Sequence, residues 1–269
     1  LVYEGTIEPQ QLIDPGLVSE EHILNVHTEE YWYSLKTLSL SARLSRKIGL
    51  PVTELSVKRA RNSVAGTILA ADRALAMGLG LNLSGGTHHA YKDRGEGFCL
   101  LNDLAITAKY IQGVAKIDKI AIIDLDVHQG NGTAKIFEKD SSVFTFSMHG
   151  EDNYPLKKEQ SDLDISLNVG VTDNEYLSKL RVSLNYIFSV IKPDFVLYQS
   201  GVDVLENDRL GKMALTKLGV KERDKMVVSA CYQNNIPLVI TMGGGYSSKL
   251  SDLIDAHCNT FRKAIEQYS

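Results

Sequence analysis

Short apolar runs that alternate with helix-length segments are the feature that most constrains the fold of this chain. KIAIID (119–124), DFVLYQS (194–200) and PLVITM (237–242) are continuous apolar runs of the kind that form strands covered on both faces. This alternation predicts βαβ units and a mostly parallel sheet flanked by helices. Because no linker rich in Pro, Gly or Ser divides the chain, we expect an α/β fold with a single three-layer domain over residues 1–269.

The same patterns place the individual elements, and they assign none before residue 54. Helices are predicted over residues 54–77, 102–115, 174–191, 216–234 and 248–268. Strands are predicted over residues 79–84, 119–124, 142–148, 164–169, 194–200 and 237–242.

Composition and charge exclude several classes of protein. A hydrophobic fraction of 43% with 23% charged residues excludes a largely disordered chain, and a net charge of −4 argues against direct binding of nucleic acid. No apolar run is long enough to span a membrane, and the first residues do not predict a signal peptide, because no basic segment followed by an apolar one opens the sequence. The chain has only three cysteines and no CxxC motif; they are Cys99, Cys231 and Cys258. This pattern favours a reducing, intracellular location (cytoplasmic, or nuclear in a eukaryote) without disulfides.

Unusual polar residues follow four of the predicted strands. They are His88 and His89 after LNLSGGT, Asp124, Asp126 and His128 in AIIDLDVHQGNGT, Asp203 in YQSGVDVLENDRLG, and Tyr246 in MGGGY. Because open parallel sheets bind ligands at the carboxyl ends of their strands, we expect these residues to meet in one site. Asp208 and Arg209 are expected to form an ion pair that shapes the loop after Asp203.

The Asp126-x-His128 pair has the spacing of a metal chelate. Residues two apart in an extended chain face the same side, so a carboxylate oxygen and an imidazole nitrogen are presented together, and zinc accepts both. Asp203, arriving from another strand, would complete three ligands and leave one position open. The alternative is a hydrogen-bonded polar pair at a strand end that holds no metal.

The adjacent histidines could divide acid and base catalysis, because a neutral imidazole accepts a proton and an imidazolium donates one. Each ring needs a partner on its other nitrogen, for which Asp124 and Asn131 are candidates. The glycines at 85–86 and 243–245 would let the backbone pass close to a substrate, and plain turns are the alternative.

Taken together, GGTHHA, GFCLLND, DLDVHQGNGT, YQSGVDVLENDRLG and GGGY resemble the motifs of the histone deacetylase family, in their order and at their spacing. The resemblance runs from about residue 27 to the C-terminal helix and is greatest with class IV and bacterial members. It implies the arginase/deacetylase fold. It also implies one Zn²⁺ per chain, held by Asp126, His128 and Asp203.

The same resemblance implies roles for further residues. The catalytic residues would be His88, His89, Tyr246, Asp124 and Asn131, with Tyr246 polarising the acyl carbonyl. The substrate-binding residues would be Gly97, Phe98, Tyr154, Gly244 and Gly245. A structural K⁺ would match Asp124, Asp126, His128, Ser147 and Met148, and a second, outer K⁺ would match Phe137, Asp140 and Val143.

Three features depart from the family pattern. Gln129 stands where many members have a second histidine, and Asn131 stands where some have an aspartate. A neutral partner at position 131 supports an imidazolium on His89 less than a carboxylate would. The family's first strand, with its basic aromatic segment, is expected to be missing before Leu1.

The activity that the resemblance implies is zinc-dependent removal of an acetyl or longer acyl group from the lysine side chains of proteins. An acetylpolyamine or another small acylated amine stays open as the substrate, as does a weakly catalytic module that only binds acyl-lysine. Two other enzyme classes match less well. A phosphatase with an aspartate nucleophile requires Thr or Val at the position that His128 occupies. A dinuclear manganese hydrolase requires additional Asp and His ligands beside each core ligand, whereas SGVDVLE offers only Asp203. The sequence does not indicate the oligomeric state.

Overall fold

The computed structural model describes residues 1–269, and its centre is one sheet of six strands that are all parallel. The strands are β1 (Leu79–Asn82), β2 (Ile120–Asp124), β3 (Val143–Gly150), β4 (Leu163–Leu167), β5 (Phe195–Gln199) and β6 (Leu238–Thr241). Their order across the sheet is β1-β6-β5-β2-β3-β4. The predicted α/β class is confirmed, and the sheet is parallel throughout.

Nine α-helices surround the sheet. They are α1 (Glu20–Leu24), α2 (Glu29–Lys36), α3 (Ala42–Ile48), α4 (Glu54–Met77), α5 (Asp103–Val114), α6 (Asn131–Phe137), α7 (Asp173–Tyr186), α8 (Lys217–Gln233) and α9 (Leu250–Tyr268). A 3-10 turn over Pro9–Gln11 precedes α1, and a π-helical turn over Ile187–Ile191 extends α7.

The central strand β2 shows why the predicted strands are apolar at every position. Ile120 and Ile122 pack in a core with residues of α4 and α5, whereas Ala121 and Ile123 pack in a second core with residues of α7 and α8. Successive side chains of a strand point to opposite faces, so a strand covered on both sides cannot alternate with polar residues. The two cores contain 29 and 28 buried residues, which confirms the three-layer arrangement.

The first quarter of the chain contains three helices that the apolar pattern does not predict. They are five, eight and seven residues long, too short for a repeat in apolar spacing to stand out. Their N-cap residues Ser19, Thr28 and Ser41 each accept a hydrogen bond from a backbone N–H three residues later. Such caps, followed in α1 and α2 by two glutamates, are the sequence signal that predicts these helix starts.

The four strands that precede the unusual polar residues are neighbours in the sheet. Strands β1, β6, β5 and β2 occupy consecutive positions, and because each pair is parallel, their carboxyl ends lie at one edge. The loops that follow these strands therefore begin side by side.

Candidate active site

Three of these loops contact one another through glycines. A Cβ atom on Gly86 would lie 2.7 Å from the Cα of Gly243, and one on Gly243 would lie 2.9 Å from the Cα of Gly201. Gly86 and Gly243 also have φ angles of 77° and 73°, which residues with side chains rarely adopt. Glycine therefore allows the loops after β1, β5 and β6 to pack backbone against backbone.

A buried carboxylate that was not identified from the sequence holds the loop before the histidines. Asp103, the first residue of α5, is completely buried. It accepts hydrogen bonds from the backbone N–H groups of Gly86 and Thr87, at 3.1 and 2.7 Å, and from the hydroxyls of Thr87 and Thr67, at 2.6 and 2.7 Å. Its place at a helix N-terminus further stabilises the negative charge.

Replacing Asp103 by alanine is expected to lower the free energy of unfolding by about 3 kcal/mol, because buried donors lose a charged acceptor. Urea denaturation followed by circular dichroism measures the change. The matched control is Asp118→Ala at an exposed position, which should change stability by less than about 0.5 kcal/mol. A variant of Asp103 as stable as the control would contradict this role.

The three residues predicted to bind a metal lie together. The Nδ1 of His128 is 3.1 Å from Oδ1 of Asp126 and 3.1 Å from Oδ2 of Asp203. One ligand atom from each residue lies within 4.8 Å of the others, and all three residues are buried. The ends of β2 and β5 thus form a group that could hold a metal ion.

The surroundings of this group favour a cation. Burial disfavours the charged form of His128, but the carboxylates of Asp126 and Asp203 outweigh it and raise its pKa to about 10. Burial, together with the charge of Asp126, raises the pKa of Asp203. Backbone N–H groups orient both carboxylates: Gly244 donates to Asp126 at 2.7 Å and Val127 donates to Asp203 at 2.9 Å. Two carboxylates and one imidazole form a donor set that Zn²⁺ accepts, so the residues present fit this ion.

The tandem histidines, His88 and His89, have ring centres 4.0 Å apart and ring planes tilted by 46°. The Nδ1 of His88 lies 2.6 Å from Oδ2 of Asp124, and its Nε2 lies 3.9 Å from Oδ1 of Asp126. Burial favours the neutral ring, but these two carboxylates outweigh it and raise the pKa of His88. This histidine is therefore favoured as an imidazolium.

His89 has a neutral environment instead. Its Nδ1 lies 2.6 Å from Oδ1 of Asn131, whose Nδ2 donates to the hydroxyl of Tyr91, which in turn donates to Glu159. This order of donors makes the Asn131 oxygen an acceptor, so His89 carries its proton on Nδ1 and leaves Nε2 as the basic nitrogen. Burial and the charge of His88 hold the pKa of His89 well below its usual value. Tyr91 and Glu159 were not identified from the sequence.

Tyr246 is positioned by Asp208. The backbone N–H of Tyr246 donates to Oδ2 of Asp208 at 2.6 Å, and Oδ1 of Asp208 accepts from two backbone N–H groups at 2.8 Å. The ion pair predicted between Asp208 and Arg209 is absent, because backbone donors use both carboxylate oxygens. Burial raises the pKa of the Tyr246 phenol, so the hydroxyl remains a hydrogen-bond donor, and its ring centre lies 6.3 Å from that of His128.

A cavity of about 250 Å³ is lined by both tandem histidines, Asp126, His128 and Tyr246, whereas the completely buried Asp203 lies outside its lining. Of the five residues predicted to contact substrate, Gly97, Phe98 and Gly244 line it, whereas Tyr154 and Gly245 lie outside its lining. Phe98 is 45% exposed and has a φ of 68°, a left-handed conformation that a phenylalanine rarely adopts. The ring of Tyr154 stands edge-on to His89 with centres 5.0 Å apart.

Glu96 fixes Tyr154 and was also not identified from the sequence. Its buried carboxylate accepts from the Tyr154 hydroxyl at 3.0 Å, from Lys47 at 2.7 Å and from Arg94 at 3.0 Å. Burial would raise the pKa of Glu96, but the hydrogen bonds from Lys47 and Arg94 outweigh it and lower that pKa. The RGEGF segment contains one of its partners, Arg94, but the other two, Lys47 and Tyr154, are 49 and 58 positions away in the sequence.

Comparison with known proteins agrees with this geometry. The histone deacetylase domain matches residues 1–261. The chain belongs to the histone deacetylase family. Family membership supports an activity that hydrolyses an amide bond.

Similar proteins cover nearly the whole chain. An uncharacterized protein of Picosynechococcus sp. is 43% identical and covers 100% of this chain and 89% of its own length. Histone deacetylase 2 of Arabidopsis thaliana is 32% identical, over 99% of this chain and 72% of that protein. The crystal structure of an HDAC homolog from Aquifex aeolicus matches with a TM-score of 0.82 at 25% identity, covering 96% of this chain and 73% of that one. The predicted fold is confirmed by this match.

Gln129, which departs from the pattern of many histone deacetylases, has a structural role here. Its Nε2 donates to the carbonyl of Glu159 at 2.8 Å and to the carboxylate of Asp164 at 2.9 Å, and its Oε1 accepts from the N–H of Glu159. Gln129 thereby ties the 159–164 segment to the loop after β2, and its side chain does not line the cavity.

Potassium binding stays a prediction. At the inner site, Asp124 lies directly opposite Ser147 in the β2–β3 pair, with the buried Met148 next to it. At the outer site, the N–H groups of Asp140 and Val143 bond to the carbonyls of Phe137 and Asp140. The carboxylate of Asp140 also pairs with the ammonium of Lys109 at 2.5 Å, so a fixed positive charge already neutralises it.

The remaining expectations concern location. None of the helices is both long enough and apolar enough to cross a bilayer. All three cysteines are free, and Cys99 and Cys231 are buried. The intracellular location stays a prediction.

Proposed function

We propose that this protein is a zinc-dependent amidohydrolase that removes an acetyl or longer acyl group from a lysine side chain of a protein. The observation that carries the proposal is the buried Asp126–His128–Asp203 group, two members of which, Asp126 and His128, line one cavity with the tandem histidines and Tyr246. Family membership supports hydrolysis of an amide. We further propose that residues 1–269 act as a single catalytic domain, because one sheet edge carries all of these residues.

Zn²⁺ held by Asp126, His128 and Asp203 would supply a Lewis acid for the acyl carbonyl and a water molecule of lowered pKa. The N–H groups of Val127 and Gly244 hold the two carboxylates in place for this task.

The histidines divide the work between a base and a fixed charge. His89 accepts the proton of the attacking water on Nε2, because Asn131 engages its Nδ1. His88 stays positively charged beside Asp124 and stabilises the negative charge that develops on the substrate. As the carbon–nitrogen bond breaks, His89 returns the proton to the leaving lysine amine. Tyr246 donates a hydrogen bond to the acyl oxygen as it becomes anionic.

The walls of the site suit a lysine side chain. The rings of Phe98 and Tyr154 present apolar surface beside His89 and Tyr246, which matches the methylene stem of lysine. Phe98, in the lining of the cavity, is 45% exposed, and Tyr154, beside His89, is 40% exposed, so both rings are accessible to a lysine carried on a protein surface. This exposure favours an acylated protein over a small amine as substrate.

A substrate panel tests the proposal. Peptides with acetyl-, butyryl- or octanoyl-lysine and an acetylated polyamine are incubated with the zinc-loaded protein, and release of free amine is measured. We expect hydrolysis of at least one peptide, loss of activity with a chelator and recovery with added zinc.

Variants of two histidines provide the matched control. His89→Ala should be inactive, whereas His22→Ala, outside the cavity, should retain activity. Hydrolysis of the polyamine in preference to every peptide would replace the protein substrate by a small amine. A zinc-loaded protein that binds the peptides and hydrolyses none would indicate a binding module.

A further inference from the structure

A buried arginine lies directly behind the loops that carry the metal-binding group. Arg223, on α8, is completely buried. Its Nη1 donates to the backbone carbonyls of Gly201 at 2.5 Å and Leu125 at 3.2 Å, and its Nη2 donates to that of Ser200 at 3.2 Å. A single guanidinium thus satisfies three buried carbonyls that would otherwise need other partners.

These carbonyls belong to the two segments that supply the proposed metal ligands. Leu125 immediately precedes Asp126, and Gly201 lies two residues before Asp203. Gly201 also packs so closely that a Cβ atom on it would collide with the carboxylate of Asp126. Because the guanidinium is planar and rigid, its bonds to both segments restrict the distance between them.

Asp224 balances the charge of Arg223. Its Oδ1 lies 2.8 Å from Nε and 2.7 Å from Nη2 of the guanidinium. The hydroxyls of Tyr198 and Thr260 donate to the same carboxylate at 2.5 and 2.6 Å, and all four residues are fully buried. Burying an ion pair costs desolvation that its attraction often fails to repay, so stability alone is a weak reason for a pair at this position.

We propose that Arg223 is a positioning residue that sets the spacing between Asp126–His128 and Asp203 and thereby the affinity of the site for zinc. This inference rests on the proposed function. Because one guanidinium binds the carbonyls of both Leu125 and Gly201, the ligand atoms are already in position before zinc binds. Without the guanidinium, the segments that carry Asp126–His128 and Asp203 would move independently, and zinc binding would have to bring them together.

The test uses Arg223→Lys, which keeps the positive charge but replaces the planar guanidinium by a single ammonium group. The dissociation constant for zinc is measured by competition with a fluorescent chelator, and the Tm of the zinc-free protein is measured in parallel. We expect zinc affinity to fall about 10–100-fold, the range typical of residues that orient metal ligands. The matched control is Val227→Ala, a cavity-forming change one turn further along α8, which should lower the Tm without weakening zinc binding.

The outcomes separate the inference from the proposed function. If wild-type protein binds zinc and hydrolyses acyl-lysine while Arg223→Lys binds zinc equally well, the inference alone is overturned. Equal losses of affinity in Arg223→Lys and Val227→Ala also overturn it, since they indicate a general effect of destabilisation. Wild-type protein that binds no zinc overturns both proposals.

Thr260→Val decides the question if Arg223→Lys does not fold. This change keeps the shape of the side chain and removes only one donor to Asp224. We expect a several-fold loss of zinc affinity, because Arg223 then has a less firmly held partner. Unchanged affinity in this variant would overturn the proposal.

Discussion

Replacing Tyr246 by phenylalanine is expected to lower kcat by about 10²–10³-fold, the usual effect of removing one donor to a developing oxyanion. The Tyr246 backbone is anchored by Asp208 rather than through the phenol, so the ring should keep its place. Zinc affinity should therefore stay at the wild-type value. Steady-state kinetics with an acyl-lysine peptide and a zinc titration measure the two quantities.

A second tyrosine provides the matched control for this loss. Tyr154→Phe removes a hydroxyl that bonds to Glu96 and leaves the ring beside His89. Its kcat should fall far less than that of Tyr246→Phe, because this hydroxyl is directed at a carboxylate of the protein. If Tyr246→Phe has the kcat of wild type, the Tyr246 hydroxyl takes no part in the reaction.

Replacing Asp203 by alanine is expected to weaken zinc binding by at least about 100-fold. Mutation of a residue that only hydrogen-bonds to a metal ligand lowers metal affinity by up to about 100-fold, and loss of a ligand itself should have at least that effect. The remaining Asp126–His128 pair would offer two ligands, whereas catalytic zinc sites use three. Metal content after dialysis, measured by elemental analysis, and the dissociation constant for zinc both report this loss.

The control for Asp203 lies at the other end of the same strand, β5. Asp194 precedes β5 at the opposite edge of the sheet and accepts a hydrogen bond from the N–H of Lys119. Asp194→Ala should bind one zinc ion with wild-type affinity. Full zinc occupancy in Asp203→Ala would exclude Asp203 from the ligand set.

Most of the fold could be predicted because a parallel sheet covered on both faces requires continuous apolar strands. The predicted strand 119–124 corresponds to Ile120–Asp124, and the predicted helix 54–77 coincides with α4. The short helices α1 to α3 and α6 were not predicted, because a helix of eight residues or fewer presents too few apolar positions for its period to be recognised.

Local sequence also identified some residues of the candidate site and missed others. Residues with distinctive chemistry next to a strand end, such as His128 and Asp203, could be selected from local sequence. Asp103, Glu96 and Arg223 could not be selected, because each is an ordinary charged residue until its partners in the folded chain are known. Their burial with three or four hydrogen bonds each makes them unusual, and burial is a property of the folded chain.

The sequence by itself determined the alternation of strands and helices, the motifs of the histone deacetylase family and the side chains that carry the chemistry, because these depend on residue type and local spacing. Only the tertiary structure decided that Asp208 binds the Tyr246 backbone instead of Arg209, which proton position His89 adopts, and which buried charges support the loops. The physical reason is that hydrogen-bond partners and burial depend on residues far apart in the sequence, such as Gly244 and Asp126 at 118 positions, whose proximity arises from packing of the sheet and its helices.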